Sequence, residues 1–170
     1  HPVEAMIDLG LETDFEVFFF QPTSNDDPDY VRRILDHPRT VMTFSDAGAH
    51  VSQVMNVSLP THLLGVWVRE RQVYSLEQAI RMLTLVPTTL WGFGDRGLVR
   101  EGFVADLNII DPDAVGECLP RVAHDFPAGA TRLTQQANGF LATIVGGAVL
   151  LERGEHTGSL PGSLLRRSVC

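Results

Sequence analysis

A chain of 170 residues with 44% apolar content and a net charge of −8 can bury a core, as one domain or as two small lobes. The acidic balance, with no basic cluster, argues against nucleic acid or an anionic membrane surface as partner. No apolar run nears the ~20 residues that span a bilayer, and Glu4 and Asp8 interrupt the first apolar stretch, so no signal-peptide pattern opens the chain.

Cys118 and Cys170 lie far apart and form no CxxC pair, which fits a reduced, cytoplasmic protein better than a disulfide scaffold. The first residue is His1 rather than Met. That suits a tag remnant or a chain that begins partway through a longer protein.

Behind Pro2, Val3, Met6, Ile7 and Leu11 recur at helical spacing and predict a helix over 2–12 that closes at or just after Gly10. The aromatic run 15–20 reads as a fully buried strand, and 21–26 as a polar loop. Asp27 caps the next helix, with Pro28 at its first position and Val31, Ile34 and Leu35 on one face; Pro38 ends it near His37. A second apolar, β-branched strand spans 40–45 and stops at Asp46, where Ala47, Gly48 and Ala49 follow.

This alternation of helix and strand is the signature of βα units in a parallel sheet. Further on, Leu63, Leu64, Trp67 and Val68 predict a helix over 61–71. Ser75-Leu76-Glu77-Gln78 is a capping box that starts another helix, with Leu76, Ala79, Ile80 and Leu83 facing inward. Pro87 opens a short turn that carries Leu90 and Trp91.

The pattern changes at 92–97. Short β segments follow at 98–100 and 105–110 around a Glu101-Gly102 turn, then at 140–145 and 148–152, joined by Gly146-Gly147. Residues 111–139 show little periodicity and read as a long connection packed against something else. The organisation expected is an α/β segment over 1–94 and a β segment over 95–170. Two βα units cannot stand alone as a parallel sheet, and a full barrel of eight such units takes about 250 residues. Either the chain is part of a longer polypeptide, or another copy supplies the missing strands.

Chemistry in such sheets sits just past the carboxyl ends of the strands, so Asp46 is the first candidate. Asp46 can be read as a carboxylate at a strand mouth that binds a metal ion and exchanges a proton with metal-bound water, a task for which a water of lowered pKa and an ionised Asp are suited. It can equally be read as a turn or N-cap residue, which Ser-Asp-Ala-Gly supports. Ser45 either orients that carboxylate or caps the strand end. His50 is a ligand, a substrate contact or a loop residue bonded to the backbone, and His62 lies twelve residues on. Asn25, Asp26 and Asp27, on the other strand loop, are explained by helix capping. Phe18, Phe19, Phe20, Trp67 and Trp91 read as core, and Cys118 as incidental. No HxH, HExxH or Cys/His cluster occurs, so the sequence alone assembles no complete metal site.

Ser45-Asp46-Ala47-Gly48-Ala49-His50, Thr61-His62, Trp67-Val68-Arg69-Glu70-Arg71 and Ser75-Leu76-Glu77-Gln78-Ala79 together resemble the metal-dependent amidohydrolase superfamily, in its N-acyl-D-amino-acid deacylase (D-aminoacylase) branch. Asp95-Arg96-Gly97, Gly102 with Ala105-Asp106-Leu107, Asp111-Pro112 and the tail Pro161-Gly162-Ser163-Leu164-Leu165-Arg166 continue the likeness in order. The resemblance implies the C-terminal portion of a TIM-like barrel, with its last two strands at 15–20 and 40–45, beside part of a small β-sandwich. It implies zinc in the complete enzyme and Asp46 as general acid/base and possible metal contact, the remaining ligands lying outside this chain. Two departures stand out. No arginine that could grip a substrate carboxylate occurs in 51–58, and Gly146 stands where the family often has Asn.

The function expected is hydrolysis of an amide C–N bond in a small molecule, an N-acyl-D-amino acid or a relative, by an enzyme of which this chain alone is inactive. The alternative is a non-catalytic lobe or assembly module whose sheet another chain completes. Exposed sheet edge and apolar surface predict a homo-oligomer, or pairing with the upstream part of the same protein.

Overall fold

The computed structural model describes residues 1–19, 24–43, 45–50 and 57–166 and is a mixed α/β structure. It divides into two units, residues 1–40 and 41–170.

In the first unit each helix begins where a side chain satisfies the orphan amides of the first turn. Helix α1 (Pro2–Glu12) opens on His1, whose Nδ1 accepts the Val3 N–H at 3.3 Å while its ammonium group donates to Glu4 Oε2 at 3.1 Å. Helix α2 (Pro28–Leu35) opens on Asp27, whose Oδ1 accepts the Asp29 and Tyr30 N–H groups at 2.9 and 3.3 Å. Both helices stand where the caps and apolar spacing predict them. The apolar side of α1 is largely uncovered, however, whereas on α2 Val31 and Leu35 are half-buried. Val3, Met6, Ile7 and Leu11 on α1 and Ile34 on α2 are exposed, and Gly10, against the Phe15 ring, is the unit's one buried residue among those described.

The second unit has a small core. Helix α3 (Leu59–His62) runs directly into a π-helix (Leu63–Glu70), and Leu63, Leu64 and Trp67 turn inward with Ala79 of α4 (Leu76–Leu83) and with Val115. The helix expected over 61–71 is therefore present with its predicted inward face, but its main part winds wider than an α-helix. α4 carries the predicted capping box: Ser75 Oγ accepts the Gln78 N–H at 3.2 Å and Gln78 Oε1 accepts the Ser75 N–H at 2.9 Å. Helix α5 (Leu85–Trp91) follows after Thr84, with Pro87 inside its first turn, where its missing N–H costs no hydrogen bond.

Among the described residues eight strands follow: β1 (Leu107–Ile110), β2 (Gly116–Glu117), β3 (Arg121–Ala123), β4 (Arg132–Thr134), β5 (Ala137–Asn138), β6 (Phe140–Val145), β7 (Ala148–Glu152) and β8 (Glu155–His156). An antiparallel sheet has the order β1-β6-β7-β8. The predicted β6–β7 hairpin turns on Gly146 and Gly147, at φ of 55° and 83°, the left-handed pair a tight two-residue turn requires. Asp106 braces that turn, its Oδ1 accepting the Gly146 N–H at 2.8 Å while its Oδ2 lies 3.0 Å from Arg96 Nε.

Several expectations are corrected. The stretch 111–139 is an antiparallel arm, not an irregular connection: β2 pairs with β5 and β3 with β4, closed by a 3-10 turn at Pro127–Gly129. Its strands are two or three residues long, too short for alternation to show. At the tip Arg132 holds Asp125 through two hydrogen bonds of 2.7 and 2.6 Å. Residues 98–100 are not a strand, and 105–110 shortens to β1. Residues 15–19, 40–43 and 45, within the two segments read as barrel strands, belong to no strand; residues 20 and 44 lie outside the described residues. A strand exists by its ladder partners, and neither segment has one among the described residues.

Phe18, Phe19 and Trp91, read as core, are exposed, as is Ile80, whereas Trp67 is buried as expected. The described residues cover those four side chains only in part, so their apolarity is not matched by burial. No helix among the described residues is long and apolar enough to cross a membrane.

Candidate functional site

Asp46 lies on an exposed turn of the second unit, as Ser-Asp-Ala-Gly predicts. Its carbonyl accepts the Ala49 N–H at 3.0 Å, and Ser45 Oγ accepts the Ala47 N–H at 3.3 Å, so one main-chain bond and one hydroxyl–amide bond fix the loop around the carboxylate. No described residue bonds the carboxylate itself. It is exposed to water, and the half-buried Ser45 hydroxyl next to it in sequence still carries a proton to donate. His50 is exposed and held at φ 49°, a left-handed conformation uncommon outside glycine and several-fold enriched for His.

His62 stands apart from that turn in its bonding. Its Nδ1 lies 3.1 Å from Glu117 Oε1 and joins α3 to β2 across 55 residues of sequence. Glu117 was not legible as its partner, because no local spacing links the two. Below the pair, the Arg69 guanidinium of the π-helix donates to the Val115 carbonyl, and Gly65 sits so close that a Cβ there would lie 3.3 Å from both Val115 O and Gly116 Cα. Gly139, at φ 76°, also approaches closely, and a Cβ there would collide with the Val115 and Ala114 backbone. These contacts pin the root of the arm.

The other histidines are taken up by local backbone bonds or stand exposed. His37 Nδ1 accepts the Arg39 N–H at 3.2 Å and His156 Nδ1 accepts the Gly158 N–H at 2.9 Å, while His124 is exposed. Cys118 is half-buried with its Sγ 3.4 Å from Asn138 Oδ1, and Cys170 lies outside the described residues, as do residues 51–56 of the arginine-free stretch. The Arg132 guanidinium beside Asp125 holds that carboxyl below its ordinary range, and the partner effect raises Arg132.

Grooves are found among the described residues. One is lined by Tyr30, Arg33, Ile34, His37 and Thr40, another by Cys118, Arg121, Asp125, Thr134 and Gln136. Neither has Ser45, Asp46 or His50 in its wall. Among the described residues no group of three or more His, Cys, Asp and Glu side chains is placed to hold a metal ion. What the turn offers chemically is one accessible carboxylate with a hydroxyl neighbour.

Comparison with known proteins supplies the context for that turn. The amidohydrolase family matches residues 1–150. The N-acyl-D-aspartate deacylase of Alcaligenes xylosoxydans xylosoxydans is 31% identical over 172 residues, covering 95% of this chain and 32% of that protein. The N-acyl-D-glutamate deacylase of the same organism is 31% identical over 144 residues, covering 83% of this chain and 27% of that protein. Among solved structures, a D-aminoacylase mutant in complex with CuCl2 superposes with a TM-score of 0.51 at 27% identity, over 65% of this chain and 21% of that one. The chain thus spans about a third or less of the length of the curated relatives it matches. Matched by the family across residues 1–150 and by deacylases along most of its length, the chain belongs to the amidohydrolase family, in its D-aminoacylase-like branch.

Proposed function

We propose that this chain forms part of an enzyme that hydrolyses the amide C–N bond of a small N-acyl amino acid or a related amide, with Asp46 as general acid/base. The observation that carries the reading is the likeness to N-acyl-D-aspartate deacylase over 95% of the chain. The exposed turn that leaves the Asp46 carboxylate without a protein partner among the described residues supports the assignment of the residue.

In this reading Asp46 accepts a proton as water's oxygen bonds to the carbonyl carbon. It returns the proton to the nitrogen as the C–N bond breaks, yielding a carboxylic acid and an amine, between which a proton then passes to leave carboxylate and ammonium. Ser45 and His50 border the substrate. Zinc is the metal the family resemblance implies, but Asp46 is a single donor, and a zinc site takes three or four protein ligands. The described residues do not fit a zinc site by themselves. Further donors would have to come from outside them, from another part of a longer polypeptide or from another copy. The same sources would supply the strands that complete a TIM-like barrel around 15–20 and 40–45, and a β-sandwich around the β1-β6-β7-β8 sheet. Without them the chain is inactive.

A second reading, a lobe whose role is assembly, is favoured by one observation: the first unit buries a single described residue and leaves the apolar side of α1 in water. That reading includes association of the chain with copies of itself. Release of free amine from N-acyl amino acids by the full-length protein separates the two. Activity lost on Asp46→Asn supports catalysis, whereas a full-length protein with no amidase activity supports assembly.

A further inference from the structure

We draw no further inference here: the strongest candidate, the apolar surface that Val3, Met6 and Ile7 present along helix α1, is an unpartnered face, and nothing in the structure shows what covers it.

Discussion

Replacing Gly139 with alanine tests the packing at the root of the arm. Two costs add at this position. The φ of 76° lies in the left-handed region, which costs an L side chain ~1–2 kcal/mol. The new Cβ also meets the Val115 and Ala114 backbone, which cannot swing away as a side-chain end would. Relieving such an overlap costs a further ~1–3 kcal/mol. Alanine returns ~0.4–1 kcal/mol by restricting the unfolded chain. The net loss is then about 3 kcal/mol.

Gly147 is the internal control. Its φ of 83° carries the same backbone penalty, but nothing lies within 4 Å of the added Cβ. Gly147→Ala should therefore cost only about 1 kcal/mol. The assay is urea unfolding of purified wild type and both variants, followed by far-UV circular dichroism, with the midpoints compared at constant slope. Gly139→Ala should lower the midpoint about three times as far as Gly147→Ala. Equal shifts would refute the claim that Gly139 is required by a close approach rather than by its φ alone.

Other substitutions probe the same region and its neighbours. Arg69→Met removes the donor to the Val115 carbonyl and leaves a buried acceptor unsatisfied, so stability should fall by about 1–3 kcal/mol in the same assay, an unchanged midpoint counting against that bond. For His62 and Glu117, both part-exposed, a double-mutant cycle with His62→Ala and Glu117→Gln should give a coupling of no more than about 1 kcal/mol; a value several-fold larger would mean the pair is far better sheltered than its geometry indicates. At the arm's tip, Asp125 is depressed in the folded state by its bonds to Arg132. Its contribution is therefore present above the ordinary carboxylate pKa and lost as pH falls through the depressed folded value. The Arg132 Nε–H resonance should shift in that acidic window, and Asp125→Asn should abolish the shift; a wild-type resonance that does not move would contradict the pairing.

What could be read from residue order was what is local in sequence. Asp27 and Ser75 each cap with their own side chain the amides two or three residues on, so α2 and α4 announce themselves. Gly146-Gly147 supplies both left-handed positions of a hairpin turn, and β6 and β7 follow from it. The π-helix was not legible: Leu63, Leu64, Trp67 and Val68 suit an α-helix equally well, and the wider winding coincides with contacts of Gly65 and Arg69 to Val115, 46 residues beyond Arg69. The arm was missed because Arg121 faces Thr134 and Gly116 faces Asn138 only through distant pairing, with no alternating run on either side.

At the candidate site the turn around Asp46 was legible, since Ser, Asp, Ala and Gly form turns by local bonds. The joining of His62 to Glu117 was not, because it spans 55 residues. Runs such as 15–20 look like strands for their composition, yet composition cannot supply the neighbour that makes a strand. That is why the apolar residues Phe18 and Phe19 stand exposed among the described residues.

The role given to Asp46 is tested most directly by the kcat for amide hydrolysis of the full-length protein carrying Asp46→Asn, measured beside wild type with matched circular dichroism spectra. Asparagine keeps the size of the side chain but cannot take up the proton, and the loop's two hydrogen bonds do not involve the carboxylate. The account predicts a folded protein whose kcat is lower by at least the ~10²–10⁴-fold that general acid–base catalysis contributes. A folded variant that retains near-normal turnover would contradict it.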